Sequence, residues 1–178
     1  MSPLKKLLNK LDGSKIKYKV VEHRKVYTTF DAAQTQKIKP QQVAKTLLVK
    51  GDNNFYFAII PGNRNLDSQK LKAVMNKYLV QQEEKSSETG SRSKSGKIKK
   101  LSIANEAQIK RNFTKTMGAL PPFGSLYKCQ TFADKLLLKN SKINLNAGSF
   151  TQSLEMTSAQ YKKFEEPIEG SFSKARKK

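Results

Sequence analysis

Apolar residues recur along this chain with two different periods, and the switches between them mark out its elements. Leu4, Leu7, Leu8 and Leu11 stand at i, i+3, i+4 and i+7, the stripe of an amphipathic helix. Ser2 can cap that helix, Pro3 suits its first turn and Gly13 its exit. Residues 18–22, centred on Val20 and Val21, read as a short strand. Residues 30–38 read as a short helix, opened by Thr28 or Thr29 and broken by Pro40. Two strong β runs follow at 44–50 and 55–60, joined by Gly51-Asp52-Asn53-Asn54, which has the chemistry of a hairpin turn. Pro61-Gly62-Asn63 ends the second run. Asp67 can then cap a helix carrying Leu71, Val74, Met75 and Tyr78.

Periodicity then lapses. Residues 81–96 are dominated by Gln, Glu, Lys, Ser and Gly, which predicts a solvated insertion or flexible loop at about 81–97. A strand resumes at 97–103 and a helix at 105–113. Residues 136–138 and 143–145 are apolar strand candidates separated by Lys139-Asn140-Ser141. Asn146-Ala147-Gly148-Ser149 makes a turn, residues 154–156 a short strand, and Thr157 caps a last helix through Phe164. The stretch 167–178 reads as a basic, disordered tail or linker. Strands outnumber helices and are paired by hairpins, so the expected class is α+β with a mixed, mostly antiparallel sheet in one domain over 1–166.

Composition narrows the functional classes. The 178 residues carry 35 Lys and Arg against 14 acidic residues, a formal net charge of +21, and a field of that sign attracts polyanions, nucleic acid first. The content of 37% hydrophobic residues, with nine Phe and six Tyr, argues against global disorder. Cys129 is the only cysteine and His23 the only histidine, which rules out an intrachain disulfide and leaves no His/Cys zinc set. No metal and no other cofactor is expected. No run reaches the ~18 apolar residues of a membrane span. The N-terminus is too short and too charged for a secretory signal. A cytoplasmic location without a membrane partner is the expectation.

Several segments can carry chemistry. Lys45 lies where a strand should bury apolar side chains, sharing a face with Leu47 and Val49, and a buried ammonium must reach solvent, a partner or a polar pocket. The run Gly118-Ala119-Leu120-Pro121-Pro122-Phe123-Gly124 combines backbone freedom with stiffness, which suits either a pocket wall with N–H groups aimed inward or a tight turn. Ser149, Thr151 and Ser153, after the second glycine-bearing turn, can contact a ligand or serve ordinary turn chemistry. His23 reads as a surface histidine more than an acid-base group, and Cys129 as a small, semi-buried residue. The P-loop and dinucleotide-binding patterns are absent. Lys94, Lys97, Lys99 and Lys100, with Lys174, Arg176, Lys177 and Lys178, are candidate contacts to a phosphate backbone.

Four segments in register resemble the YbaK/prolyl-tRNA-synthetase-associated editing domain family. They are Gln42-Val43-Ala44-Lys45-Thr46-Leu47-Leu48-Val49, Phe57-Ala58-Ile59-Ile60-Pro61-Gly62 with Leu66-Asp67, the 118–124 loop, and Ile143-Asn144-Leu145-Asn146-Ala147-Gly148 followed by Leu154-Glu155-Met156 and a capped helix. The resemblance covers about 1–166 and implies a partly closed barrel flanked by helices. It implies an enzyme that hydrolyses the ester of a mischarged tRNA, either free-standing or as a domain of a prolyl-tRNA synthetase. Lys45 would hold the terminal adenosine or phosphate end of the substrate. Thr46, the 118–124 loop, Ala147, Gly148 and Ser149 would line the pocket.

An activated ester needs only a positioned water and a stabilised oxyanion, so one His and one Cys suffice. The family's alanine-selective branch is expected to place a histidine in the late strand-turn region, where this chain has 146–149. Thr46 is more similar to the cysteine-removing or synthetase-appended branches. The expected substrate is Cys- or Ala-tRNA(Pro), and the expected partners are tRNA and a synthetase in cis or trans. A non-catalytic tRNA-docking module is the alternative. A membrane-surface role lacks an aromatic anchor in the first helix.

Overall fold

A computed structural model describes residues 3–88, 96–113 and 118–176. In chain order the strands are β1 (Lys19–Glu22), β2 (Ala44–Gly51), β3 (Asn54–Pro61), β4 (Arg64–Leu66), β5 (Leu101–Ile103), β6 (Thr131–Asp134), β7 (Lys142–Asn146), β8 (Gln152–Thr157), β9 (Ile168–Gly170) and β10 (Ser173–Ala175). The helices are α1 (Pro3–Gly13), α2 (Thr29–Thr35), α3 (Ser68–Glu88), α4 (Glu106–Asn112), α5 (Lys135–Leu138) and α6 (Ser158–Glu165). The class is the expected α+β, with antiparallel pairing predominant.

The β2–β3 hairpin is the spine, and its register runs from Ala44 opposite Pro61 to Gly51 opposite Asn54. Around it stands a five-stranded sheet in the order β5-β2-β3-β6-β9, in which β6 pairs parallel to both β3 and β9. Both faces of this sheet are covered. On one, Leu48, Phe57 and Ile59 pack with Leu7 and Leu11 of α1 and with Leu145, Leu154 and Tyr161. On the other, Val49, Ala58 and Ile60 meet Leu71, Met75 and Leu79 of α3. Burial on two faces is why 57–60 is apolar without alternation. A second antiparallel sheet, β1-β8-β7, leans against the first, and a parallel bridge between Val43 and Asn144 joins the two where β2 begins. No helix among the described residues is long and apolar enough to cross a membrane.

The predicted caps form. Thr28 accepts from Asp31 N, and Asp67 from Lys70 N, each at 3.1 Å; Thr157 accepts from Gln160 N at 3.2 Å. The proposed Ser2 cap lies outside the described residues. Three expectations change. Residues 136–138 are a helical turn, because Asp134 accepts from Leu136 N at 2.8 Å and starts α5 while Leu137 and Leu138 face the core. Residues 81–88, expected within the insertion, instead continue α3 to Glu88, and 89–95 lie outside the described residues.

The third change concerns the tail, expected to be disordered from 167. Instead, β9 extends the main sheet and β10 pairs with β4, a strand the sequence pattern did not show. Phe172 is fully buried, and the buried Asp134 carboxylate accepts from Phe172 N and Ser173 N, both at 2.8 Å.

Candidate active site

Where β2 starts, the two sheets diverge and leave a cavity of about 410 Å³. Its floor takes Ala44, Thr46 and Leu48 from one face of β2, and Lys45 joins from the other. The β5 pairing reaches only 49–51, so the edge of β2 beside Lys45 stays open to the cavity. Lys45 is partly buried. Desolvation first, and the charge of Arg176 second, hold its pKa below the ordinary lysine value. Among the described residues, no Asp or Glu lines the cavity. The Thr46 hydroxyl is buried there without a hydrogen-bond partner, a state that buried polar atoms rarely keep unless a ligand or water meets them.

The wall opposite is a chain of side-chain hydrogen bonds. The His23 Nδ1 lies 2.8 Å from Arg24 O, which can only accept, so Nδ1 carries the proton of the neutral ring. Nε2 then accepts from the Ser153 hydroxyl at 2.9 Å. Gln36 Nε2 donates to Ser153 Oγ at 3.3 Å, and Asn144 Nδ2 donates to Gln36 Oε1 at 2.6 Å. His23, expected on the surface, therefore lines the cavity. Its fixed tautomer, with Ser153 and Asn144 almost fully buried, makes this wall a rigid polar surface. Tyr27 stands at the rim against Phe150, ring centroids 5.1 Å apart.

The predicted site residues divide. Lys45, Thr46, Gly118, Leu120 and Ser149 line the cavity. Gly118 has φ 77°, a conformation that favours glycine. The rest of the 118–124 loop turns inward as core: Ala119 and Phe123 are buried, and Tyr161 donates to Pro122 O at 2.7 Å. Pro121 is buried too. Gly124 N donates to Thr131 Oγ1 at 3.0 Å, and a Cβ on Gly124 would lie 2.5 Å from that oxygen. Ala147 is core, and Gly148 N is occupied by Asn146 Oδ1 at 2.7 Å.

The basic candidates separate as well. Lys97, Lys99 and Lys100 are exposed beside the β2–β3 turn, where the Asp52 carboxylate accepts from Lys99 N and Lys100 N at 3.0 and 2.9 Å. Six residues of strand, about 20 Å, separate that turn from Lys45. Lys174 is exposed on β10, while Arg176 just beyond it lines the cavity. Lys94, Lys177 and Lys178 lie outside the described residues.

Sequence reasoning passed over Asn144, Asn146 and Gln36. The available signal was Asn144 itself, a polar residue between the buried Ile143 and Leu145 of one strand.

The class these features define is an α+β domain with a cavity to which Lys45 and Arg176 bring positive charge. The model of the aminoacyl-tRNA editing domain family matches residues 23–93 and 79–164, and the chain belongs to that family. Among curated relatives, the proline–tRNA ligase of Kosmotoga olearia is 28% identical over 115 residues, 65% of this chain. That of Fervidobacterium nodosum is 37% identical over 51 residues, 29% of this chain. The matches span only 16% and 9% of those ligases.

Two solved structures share the fold. One is a hypothetical protein at TM-score 0.74 and 15% identity, with 95% of this chain and 99% of that one covered. The other is a candidate trans-editing enzyme for prolyl tRNA synthetase at TM-score 0.72 and 17% identity, with 98% and 99% covered.

Proposed function

We propose that this chain is an aminoacyl-tRNA deacylase that removes a small, wrongly attached amino acid from tRNA(Pro), Cys or Ala first. It would act in trans or as the editing domain of a prolyl-tRNA synthetase. The observation that carries this reading is the partly buried Lys45 ammonium in a cavity that no carboxylate lines among the described residues. Such a group waits for an anionic or strongly polar ligand. The net charge of +21 supplies the long-range attraction to tRNA. A volume of about 410 Å³ is at the small end of ligand sites, which favours a small aminoacyl group on the terminal nucleoside.

In the reaction, a water oxygen bonds to the ester carbonyl carbon and the bond to the ribose oxygen breaks. The ribose hydroxyl regains a proton, leaving free amino acid and uncharged tRNA. Lys45 holds and orients the substrate end, and the Thr46 hydroxyl is available to it. The His23–Ser153–Gln36–Asn144 wall has its hydrogen bonds satisfied internally. Its role is therefore shape: it limits the side chain admitted and keeps bulk solvent from the ester. Discrimination by such a cavity is worth roughly 1–3 kcal/mol per methylene.

The test is hydrolysis of tRNAs charged with Cys, Ala, Ser and Pro by wild type and Lys45→Ala. Lysine-dependent release of one non-cognate residue, with prolyl-tRNA spared, is the expected result. No release from any of them, with tRNA still bound, would instead identify a docking module.

A further inference from the structure

The family match ends at residue 164, but the cavity draws a side chain from beyond it. Arg176 is carried there by a built clasp. The buried Phe172 and the Asp134 carboxylate anchor the strand, and β10 pairs with β4 so that Ala175 faces Arg64. Arg64 in turn donates to Ser173 Oγ at 2.8 Å and to Ser173 O at 3.2 Å. Arg176 Nη2 donates to Gly62 O at 2.8 Å, which fixes the guanidinium beside the end of β3. Lys45 sits opposite Ile60 on the neighbouring strand, two residues from Gly62.

We propose that Arg176 is a further substrate-gripping residue of this cavity: beside Lys45, to which the family resemblance already gives the phosphate end of the substrate, it takes the phosphate 5′ to the terminal nucleoside of an RNA 3′ end. This rests on the editing reading and names the substrate group that its site grips. Two cations that line one cavity, with no carboxylate among its described lining residues, repel each other until an anion comes between them. Arg176 is accordingly one of the causes, after desolvation, that lower the Lys45 pKa. One guanidinium donor is spent on Gly62 O, and the remaining fork suits two phosphate oxygens. The buried, unpartnered Thr46 hydroxyl adds a third donor in the same lining. Lys174, two residues before Arg176, does not line the cavity.

The experiment uses the full chain and titrates 5′-AMP, adenosine and inorganic phosphate by calorimetry against wild type, Arg176→Gln, Arg176→Lys and the exposed-charge control Lys163→Ala. Deacylation kinetics are measured on the same proteins. Wild type is expected to bind 5′-AMP more tightly than adenosine. Arg176→Gln should weaken 5′-AMP roughly ten- to hundredfold, the loss of a charged hydrogen-bond pair, and leave adenosine unchanged. Arg176→Lys should recover part of the loss, and Lys163→Ala should behave as wild type. In turnover, Arg176→Gln should raise KM with kcat nearly kept.

Wild-type 5′-AMP affinity in Arg176→Gln would overturn this role of Arg176 while leaving deacylation standing. Arg176-dependent 5′-AMP binding by a protein that hydrolyses no aminoacyl-tRNA would sustain the role and overturn the editing reading. Inorganic phosphate bound as tightly as 5′-AMP would overturn the assignment to a nucleotide.

Discussion

At Lys45, the properties that make a site also make a stability defect. A partly buried ammonium without a carboxylate partner costs folding energy, so Lys45→Ala is expected to lose deacylation and to melt at the same temperature as wild type or higher. Thermal unfolding beside the tRNA panel checks both. Because the folded pKa lies below the unfolded value, the folded chain sheds this proton at lower pH. Stability owed to Lys45 therefore rises as pH climbs from the folded value towards 10.5. Lys45→Met should lack that rise in chemical denaturation measured across alkaline pH. That Lys45 is out of place in a β run was legible, because a charge there has to be explained. That its neighbours include Arg176, and not the whole 118–124 loop, was not, since no local pattern records which residue of a loop faces a cavity.

Among elements, the α6 C-terminus shows how one side chain ties three segments together. The almost fully buried Glu165 accepts from Ser125 N at 3.1 Å, from Ser125 Oγ at 2.6 Å and from the Thr131 hydroxyl, joining α6 to the turn after the 118–124 loop and to β6. Glu165→Ala orphans these donors and should cost about 1–3 kcal/mol by equilibrium denaturation. Burial raises the Glu165 pKa despite those hydrogen bonds. Its stabilising effect is then fully present below 4.5 and declines as pH rises towards the folded value; Glu165→Gln should remove that decline. The elements with strong periodicity or cap chemistry, α1, β2, β3 and α6, were readable from sequence. β4 and β6 were not, because each is short and defined by a partner distant in the chain.

For the molecule as a whole, the C-terminal segment decides whether fold and site are separable. Phe172→Ala empties a fully buried position and should cost about 3–5 kcal/mol, measured by denaturant unfolding. Deleting only 177–178 should leave 5′-AMP binding intact and reduce the salt slope of tRNA binding by roughly one per lysine that touches phosphate; an unchanged slope would remove them from the interface. The sequence by itself determined the α+β class, the β2–β3 spine, the helix caps, the net positive field and the anomaly of a lysine in the β2 run. These follow from periodicity, local hydrogen-bond chemistry and net charge, which act over a few residues or sum over all of them. Only the tertiary structure decided that His23 joins the cavity wall, that the glycine-proline loop is mostly core, and that a basic tail folds back to place Arg176 beside Lys45. Those outcomes depend on pairings between residues far apart in the chain, such as Asp134 with Phe172, whose closure is stabilised by burial and hydrogen bonds that neither partner's local sequence reveals.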